Sequence, residues 1–262
     1  AAGVAAAVVS EAGCSAAAVA GWVAADLRGA GDMLTAGDRE RVAAAVARAE
    51  AATRGEIFCI VAPDCGDYRE TPLAVAAFAA LAAPILLLAG GIHVTVPGLI
   101  QGGWTAAAVG AAAGVAAREA VMGVILLQVF LFLLVLMVAW LPPVRRLLTP
   151  VSLKRDRVRR RAYEQFLSKN LQATRERTGV LIFVSEWERM AELIADEGVA
   201  SRVDPGIWDE AMSKLIAGVK AGRAVEGFEA AVEICGGVLA EHFPPRESDN
   251  PNELPDHVVV IR

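Results

Sequence analysis

The stretch VMGVILLQVFLFLLVLMVAWLPP, residues 121–143, decides the architecture of this chain, because it holds no charged side chain and is long enough to cross a bilayer. A second apolar stretch, PLAVAAFAALAAPILLLAGG, occupies residues 72–91. It belongs to a block of 47 residues, 71–117, that contains no Asp, Glu, Lys or Arg. The two stretches predict membrane spans at about 71–91 and 120–142.

The overall composition agrees with a chain that is partly embedded in lipid. Of the 262 residues, 55% are hydrophobic and 21% are charged, and the mean hydropathy is +0.46. A soluble domain of this size carries a more polar surface. Without the apolar block, roughly 190 residues of mixed composition remain, which suffices for one domain with its own core. The composition therefore excludes a disordered chain, a collagen-like chain and a small disulfide scaffold.

The topology of the spans follows from the need of the soluble domain to fold on one side of the bilayer. The part before the apolar block offers one helix and one strand, so it must pack with the part after the block. Two spans return the chain to the side that it left, whereas three do not. We therefore expect a transmembrane helical hairpin with residues 92–118 as its distal connection. If residues 105–118 enter the membrane, we expect them in a long second helix or a re-entrant loop.

Basic residues are concentrated just after the second span. Residues 145–170 carry nine Lys and Arg against two acidic residues, a net charge of +7, whereas the distal connection offers only Arg118. Because basic residues favour the cytoplasmic side, we expect a multi-pass protein of the bacterial inner membrane whose soluble domain is cytoplasmic. Two roles are open for these arginines, a solvated helix face or contact with anionic lipid head groups. The candidates for the second role are Arg155, Arg157, Arg159, Arg160 and Arg161.

Two further features disfavour nucleic acid and zinc. From Leu171 to the C-terminus there are nine basic and seventeen acidic residues, a net charge of −8, so a nucleic-acid surface is not expected. The cysteines show no CxxC spacing and no clustered histidines, so a zinc site is not expected either. Unpaired thiols suit a reduced compartment. These cysteines are Cys14, Cys59, Cys65 and Cys235.

The soluble parts alternate between helix and strand patterns. Thr35 with Asp38 predicts the start of a helix that ends near Gly55 as a left-handed cap, followed by a buried strand over 56–62. After the spans, the patterns predict a basic helix over 150–177, an antiparallel hairpin over 180–185 and 190–195, and helices over about 206–221 and 224–242. The predicted fold class is α/β, a small sandwich of three to four strands with flanking helices, interrupted by the transmembrane hairpin.

These elements predict five segments along the chain. The Ala-rich residues 1–33 match neither a secretory signal nor a good span and have no assigned role. Residues 34–70 and 145–243 form the two parts of the soluble domain, and 71–144 form the transmembrane hairpin. Residues 244–262 form an extended acidic tail.

Several short motifs, taken in order, resemble the TPM domain family, to which thylakoid-lumen photosystem II repair proteins and many bacterial membrane proteins belong. The resemblance covers about residues 34–70 and 150–262. Its motifs are Leu34-Thr35 with Asp38, Gly55-Glu56-Ile57, Thr178-Gly179-Val180-Leu181-Ile182, Ser185 with Glu188-Arg189, Ala195-Asp196-Glu197-Gly198-Val199, Trp208, Gly227-Phe228 and His242-Phe243-Pro244. More narrowly, the chain is similar to uncharacterised bacterial membrane proteins in which a hydrophobic hairpin interrupts this domain after its first strand. Their tail carries a motif that stands here as Asn252-Glu253-Leu254-Pro255-Asp256.

The resemblance implies three kinds of role. Family members are described as phosphatase-like in plants, as metal-binding in some bacteria, and as accessory or assembly factors of membrane complexes. In the metal-binding relatives the acidic residues lie in loops at strand ends, and the matching positions are Asp64, Asp67, Asp196 and Glu197. Carboxylates from two loops that meet at one sheet edge suit Ca²⁺ or Mg²⁺. The other interpretation is that these residues cap turns and helix starts at a solvated rim.

Ser185 and Glu188, three residues apart at the predicted hairpin turn, fit either a local hydrogen bond or a nucleophile beside a base. No histidine lies near a candidate base, and no phosphate-binding Gly-rich loop, HExxH or GxSxG motif occurs. We therefore expect a membrane-anchored TPM-like domain that serves as an interaction or assembly and maintenance module for other membrane proteins. The alternative is a divalent-metal-dependent phosphatase. A transporter is least favoured, because the predicted spans carry no intramembrane charge.

Overall fold

The structure is a computed structural model that describes residues 5–9, 33–90, 106–245 and 256–261. The described chain divides into two compact units, the first drawn from Ala1–Gly66 and Pro150–Arg262 and the second from Asp67–Thr149. The elements in chain order are β1 (Ala5–Val9), α1 (Ala36–Glu50), β2 (Glu56–Ala62), α2 (Glu70–Ala89), α3 (Ala106–Ala139), α4 (Pro142–Leu148), α5 (Val151–Ser168), a 3-10 turn (Leu171–Ala173), β3 (Gly179–Ser185), β4 (Met190–Ala195), α6 (Glu197–Ala200), α7 (Pro205–Lys220), α8 (Ala224–His242) and β5 (Val259–Val260).

The first unit is built on a sheet whose strands follow the order β1-β4-β3-β2-β5. β2 and β3 are parallel along their full length, from Glu56 opposite Gly179 to Ala62 opposite Ser185. β3 and β4 form the antiparallel hairpin that the sequence predicts. At the two edges, β1 pairs antiparallel with β4, and the short β5 pairs parallel with β2. The sequence analysis did not predict β1, which lies in the Ala-rich segment that had no assigned role.

Helices cover both faces of the sheet. Successive side chains of each strand point to opposite faces, so each strand contributes to both cores. On β2, Ile57 and Val61 join the core formed with α1, α7 and α8, whereas Phe58 and Ile60 join the core formed with α5. Every residue of β2 and β3 is buried, as expected for parallel strands covered on both faces. The predicted α/β fold class is therefore confirmed.

The helix that starts the domain has the capping box that its sequence predicts. The Asp38 backbone N–H donates to the Thr35 hydroxyl at 3.2 Å, and the Thr35 backbone N–H donates to the Asp38 carboxylate at 2.9 Å. The role predicted for Gly55 at the other end was wrong, because Gly222 is the glycine with a positive φ among the described residues. A Cβ on Gly55 would lie 2.9 Å from a methyl group of Leu239, so a larger residue there would force the Leu239 side chain to move.

The basic helix α5 is shorter than the predicted 150–177. It ends at Ser168, because Asn170 takes a left-handed backbone conformation with φ of 57° and turns the chain. Asparagine tolerates this conformation better than most residues. The 3-10 turn that follows buries Leu171 in the core beneath α5. The chain then reaches β3 through a second left-handed residue, Arg177.

The second unit consists of three helices in its described part. α2 and α3 pack against each other, and each contains a segment long and apolar enough to cross a membrane: Glu70–Leu87 and Val121–Ala139. α3 has 34 residues, or about 51 Å of helix, compared with about 30 Å for the hydrocarbon core of a bilayer. The predicted connection over 92–118 therefore overlaps a helix, because residues 106–118 belong to α3. Its remaining part, over 92–105, lies outside the described residues.

Candidate functional site

The first polar cluster lies where the parallel strands β2 and β3 end. The Ser185 hydroxyl donates a hydrogen bond to one oxygen of the Glu188 carboxylate, so the local hydrogen bond that their spacing predicts is present. The other carboxylate oxygen accepts the backbone N–H of Cys65 at 2.9 Å. Both Ser185 and Glu188 are buried. Glu188 thus holds the loop that follows β2 against the turn that follows β3.

The electrostatics of this cluster do not favour a nucleophile. Burial, together with the neighbouring Glu188 carboxylate, raises the pKa of the Cys65 thiol to about 12. The Ser185 hydroxyl and Arg161 lower the same pKa without compensating for burial. Because the thiolate is the reactive form of cysteine, Cys65 is a protonated and unreactive thiol at neutral pH. The cluster therefore stabilises two loops.

The second polar cluster surrounds Asp196, which caps the short helix α6 by accepting the Glu197 N–H at 2.7 Å. The Asp196 backbone N–H donates to the Gly179 carbonyl at 2.9 Å, so this residue lies beside the start of β3. Glu197 forms a salt bridge with Arg177 at 2.8 Å. Burial raises the pKa of Asp196, and its second carboxylate oxygen has no hydrogen-bond partner among the described residues.

The structure does not bring the predicted metal ligands together. Asp64 follows the end of β2, whereas Asp196 lies beside the start of β3, at the opposite end of these parallel strands. Seven paired residues separate the two ends, which corresponds to roughly 20 Å. In the second unit, Asp67 pairs with Arg69 at 2.6 Å. Among the described residues no group of three or more His, Cys, Asp or Glu side chains could hold a metal ion, so the four predicted ligands do not form the implied Ca²⁺ or Mg²⁺ site in this part of the chain.

The third polar feature is the basic helix α5, whose five candidate arginines divide into different surroundings. Arg160 has 83% of its side chain exposed and shares Glu164 with Arg161, at 3.3 and 3.7 Å respectively. Arg157 lies against the loop after β2, where a Cβ on Gly66 would be 2.8 Å from its guanidinium. The remaining two candidates, Arg155 and Arg159, interact electrostatically with a buried carboxyl on β4.

That buried carboxyl belongs to Glu192, which the sequence analysis did not identify as a site residue. Only 1% of Glu192 is exposed, because α5 covers the face of β4 on which it lies between Met190 and Ile194. Burial raises the pKa of Glu192 to about 7, although Arg159 and Arg155 lower it. One of its oxygens has no hydrogen-bond partner among the described residues. A single acidic residue within an apolar strand was the signal in the sequence.

A second carboxyl with a raised pKa lies near the start of β2. Glu50, at the end of α1, accepts the Ile57 backbone N–H at 2.7 Å. Burial raises the pKa of Glu50 to about 8, with further contributions from Glu56 and from Asp256, to which it is hydrogen-bonded. The sequence offered no signal for this pair, because more than 200 residues separate Glu50 from Asp256.

In the second unit, the surface of α3 over residues 121–138 is apolar. Between residues 121 and 138 no side chain is buried, and the exposed ones include Leu126, Phe130 and Met137. Trp140 follows at the end of this helix and is 47% exposed. On α2, the similarly exposed side chains are Phe78, Leu81, Ile85 and Leu86. A contiguous apolar surface of this extent requires lipid or another apolar partner.

Comparisons with known proteins show little likeness to this chain. No family model matches the sequence, and no curated protein matches it. Among solved structures, the chain is similar to the NMR structure of the BA42 protein from the psychrophilic bacterium Bizionia argentinensis. The sequence identity is 17%, the likeness covers 87% of this chain and 96% of that chain, and the TM-score is 0.49. Membership of the TPM family therefore stays a prediction.

Proposed function

We propose that this chain is a membrane-anchored TPM-like α/β module of the bacterial inner membrane. In this proposal α2 and α3 span the bilayer as a hairpin, and the first unit interacts with other membrane proteins to assist their assembly or maintenance. The observation that carries the proposal is the unburied apolar surface of α3, over residues 121–138. Each fully buried large apolar side chain is worth about 1.5–3 kcal/mol relative to water, so exposure of this helix to water would be costly.

The pairing of β2 with β3 supports an even number of crossings. The chain leaves the first unit after β2 and returns before β3, yet these strands pair along their full length. Both ends of the inserted segment therefore lie on the same side of any membrane that it crosses. The nine basic residues within 145–170 favour the cytoplasm for that side, because basic residues near the ends of spans are retained there.

Alkaline extraction of membranes that contain the full chain tests the anchor. We expect the wild-type chain to remain in the membrane pellet, as an integral protein does. A Leu126→Arg/Leu134→Arg variant places two charges in α3, each unfavourable by about 2.5–3.5 kcal/mol near the centre of a span, and is expected in the soluble or aggregated fraction. Ala217→Arg, on an exposed position of α7, is the matched control and should remain in the membrane. Extraction of the wild-type chain at high pH would refute the anchor.

The interaction role has a separate test. A photo-reactive amino acid at an exposed position of α7, such as Ser213, should form a discrete adduct with a membrane protein in native membranes. The matched position Arg160 on α5 reports contacts on the opposite face of the sheet. Chains that are anchored but yield no adduct with any membrane protein from either labelled position would contradict the interaction module. No observation on the described residues favours the phosphatase alternative.

A further inference from the structure

We propose that the outward face of α5 docks onto the anionic phospholipid surface of the membrane in which the chain is anchored. This inference rests on the proposed function and names one partner, the lipid head groups, for one surface of the first unit. The outward face is defined here by Arg160, Arg161, Tyr163 and Leu167. α5 has two chemically different sides, a net positive charge, and both basic and apolar side chains on its outward face.

α5 separates its apolar and basic residues on two sides. Val158, Ala162 and Phe166 are buried against the sheet, which accounts for the inward side. On the outward side, Arg160, Tyr163 and Leu167 follow a spacing of three and four residues and therefore share one stripe. The inward side is thus already occupied by the fold, and only the outward side is available for a partner.

The charge of α5 favours an anionic partner. Its 18 residues contain six basic and two acidic side chains, a net charge of +4. One exposed carboxylate, Glu164, forms salt bridges with both Arg160 and Arg161. One negative charge cannot neutralise two guanidinium groups, so this part of the face keeps an excess of positive charge. The rest of the chain after Leu171 has a net charge of −8, which disfavours a nucleic acid as the partner.

The apolar members of the face match the chemistry of a lipid interface. Tyr163 is 40% exposed and Leu167 is 43% exposed, next to the arginines. Tyrosine is enriched at membrane interfaces, because its ring contacts the acyl chain boundary and its hydroxyl remains among polar head groups. α5 also begins twelve residues after α3 ends, so a membrane-inserted α3 tethers it near the bilayer. A polybasic segment just outside a span is typical of recognition of anionic lipids.

The test uses the full chain reconstituted in vesicles of phosphatidylcholine alone or with phosphatidylglycerol. A fluorophore is attached at the exposed position Ser168→Cys, in a background with Cys14→Ser and Cys65→Ser, and is quenched by lipids that carry a spin label on the head group. We expect stronger quenching in vesicles with phosphatidylglycerol and loss of the difference at high salt, because salt screens surface charges. The variant Arg160→Gln/Arg161→Gln should lower the docked-to-undocked ratio by roughly fivefold for each arginine removed.

A control pair removes the same charge from the opposite face of the sheet. Arg48→Gln/Lys214→Gln changes exposed residues of α1 and α7 and should leave the quenching unchanged. Equal quenching of the wild-type chain in both kinds of vesicle, in a chain that resists alkaline extraction, would overturn the lipid surface and leave the anchor intact. Loss of the chain from the vesicles on alkaline extraction would instead refute the anchor. The wild-type salt dependence tests the proposal even if a variant fails to fold.

Discussion

Replacement of the buried Glu192 by glutamine should make the chain more stable at alkaline pH than the wild type. Glu192 is covered by α5, has one oxygen without a hydrogen-bond partner among the described residues, and has a pKa raised to about 7 by burial. Its pKa in the unfolded chain is near the ordinary value of 4.5. Glutamine has nearly the same shape but never ionises, so it removes the cost of a buried negative charge.

The sign and the size of the effect follow from these two pKa values. Between pH 4.5 and pH 7 the folded chain keeps the Glu192 proton that the unfolded chain has released. The stability of the wild type therefore falls as the pH rises through this window. From pH 5.5 to pH 8.5 the loss attributable to Glu192 is about 2 kcal/mol. The difference in unfolding free energy between Glu192→Gln and the wild type should grow by that amount over the same range.

Denaturant unfolding of the full chain in detergent micelles measures this difference, with tryptophan fluorescence, to which the buried Trp208 contributes, as the signal. Comparison of the two chains at each pH cancels the contribution of Glu50, whose pKa is also raised. Glu164→Gln on the outer side of α5 is the matched control for loss of one carboxylate. A difference between Glu192→Gln and the wild type that stays constant from pH 5.5 to pH 8.5 would refute the assignment of a buried, proton-binding Glu192.

Three other predictions concern packing, hydrogen bonding and metal. Gly198→Ala should destabilise the first unit by about 1–3 kcal/mol in the same unfolding assay, because its Cβ would lie 2.5 and 2.6 Å from two backbone carbonyl oxygens. Gly37→Ala is the control and should not destabilise the unit, because the space around Gly37 is open. Ser185→Ala should cost about 1–3 kcal/mol, because it removes a hydrogen bond to the buried Glu188 carboxylate, and an unchanged midpoint would contradict that contact. The predicted ligands after β2 and after β4 lie too far apart to hold one Ca²⁺ ion. In calorimetric titration with Ca²⁺, we therefore expect no binding event that depends on both sets of ligands when asparagines replace them. Loss of one binding event by replacement of either set alone would show that the two strand ends share a site.

The sequence predicted the elements of the first unit well where local chemistry determines them. Thr35 and Asp38 are three residues apart and cap α1, and the alternating and continuous apolar runs correctly marked β2, β3 and β4. The strand β1 was missed, because its sequence, AAAVV, lacks the β-branched and aromatic density that marks a strand. Its place in the sheet depends on pairing with β4, which local propensity does not reveal.

The site could not be predicted to the same degree, because it depends on strand directions. The sequence indicated that β3 and β4 are antiparallel, but not that β2 is parallel to β3. That direction places the C-terminal ends of β2 and β4 at opposite ends of the sheet along the strand direction, and therefore separates Asp64 from Asp196. In the sequence, Glu192 is an acidic residue among apolar neighbours, a pattern typical of a half-exposed strand. It is buried because α5 covers that face, which is a tertiary contact.

Labelling of single cysteines in intact bacteria by a membrane-impermeant maleimide tests the transmembrane hairpin most directly. The full chain, with its native cysteines replaced, would carry Asp64→Cys, Ser213→Cys or Gln101→Cys, the first two at exposed positions of the first unit and the third in the predicted distal connection. We expect labelling at position 101 and protection at positions 64 and 213 until the cells are lysed. Labelling at all three positions, or protection of all three in intact cells, would contradict a hairpin that crosses the membrane with the first unit in the cytoplasm.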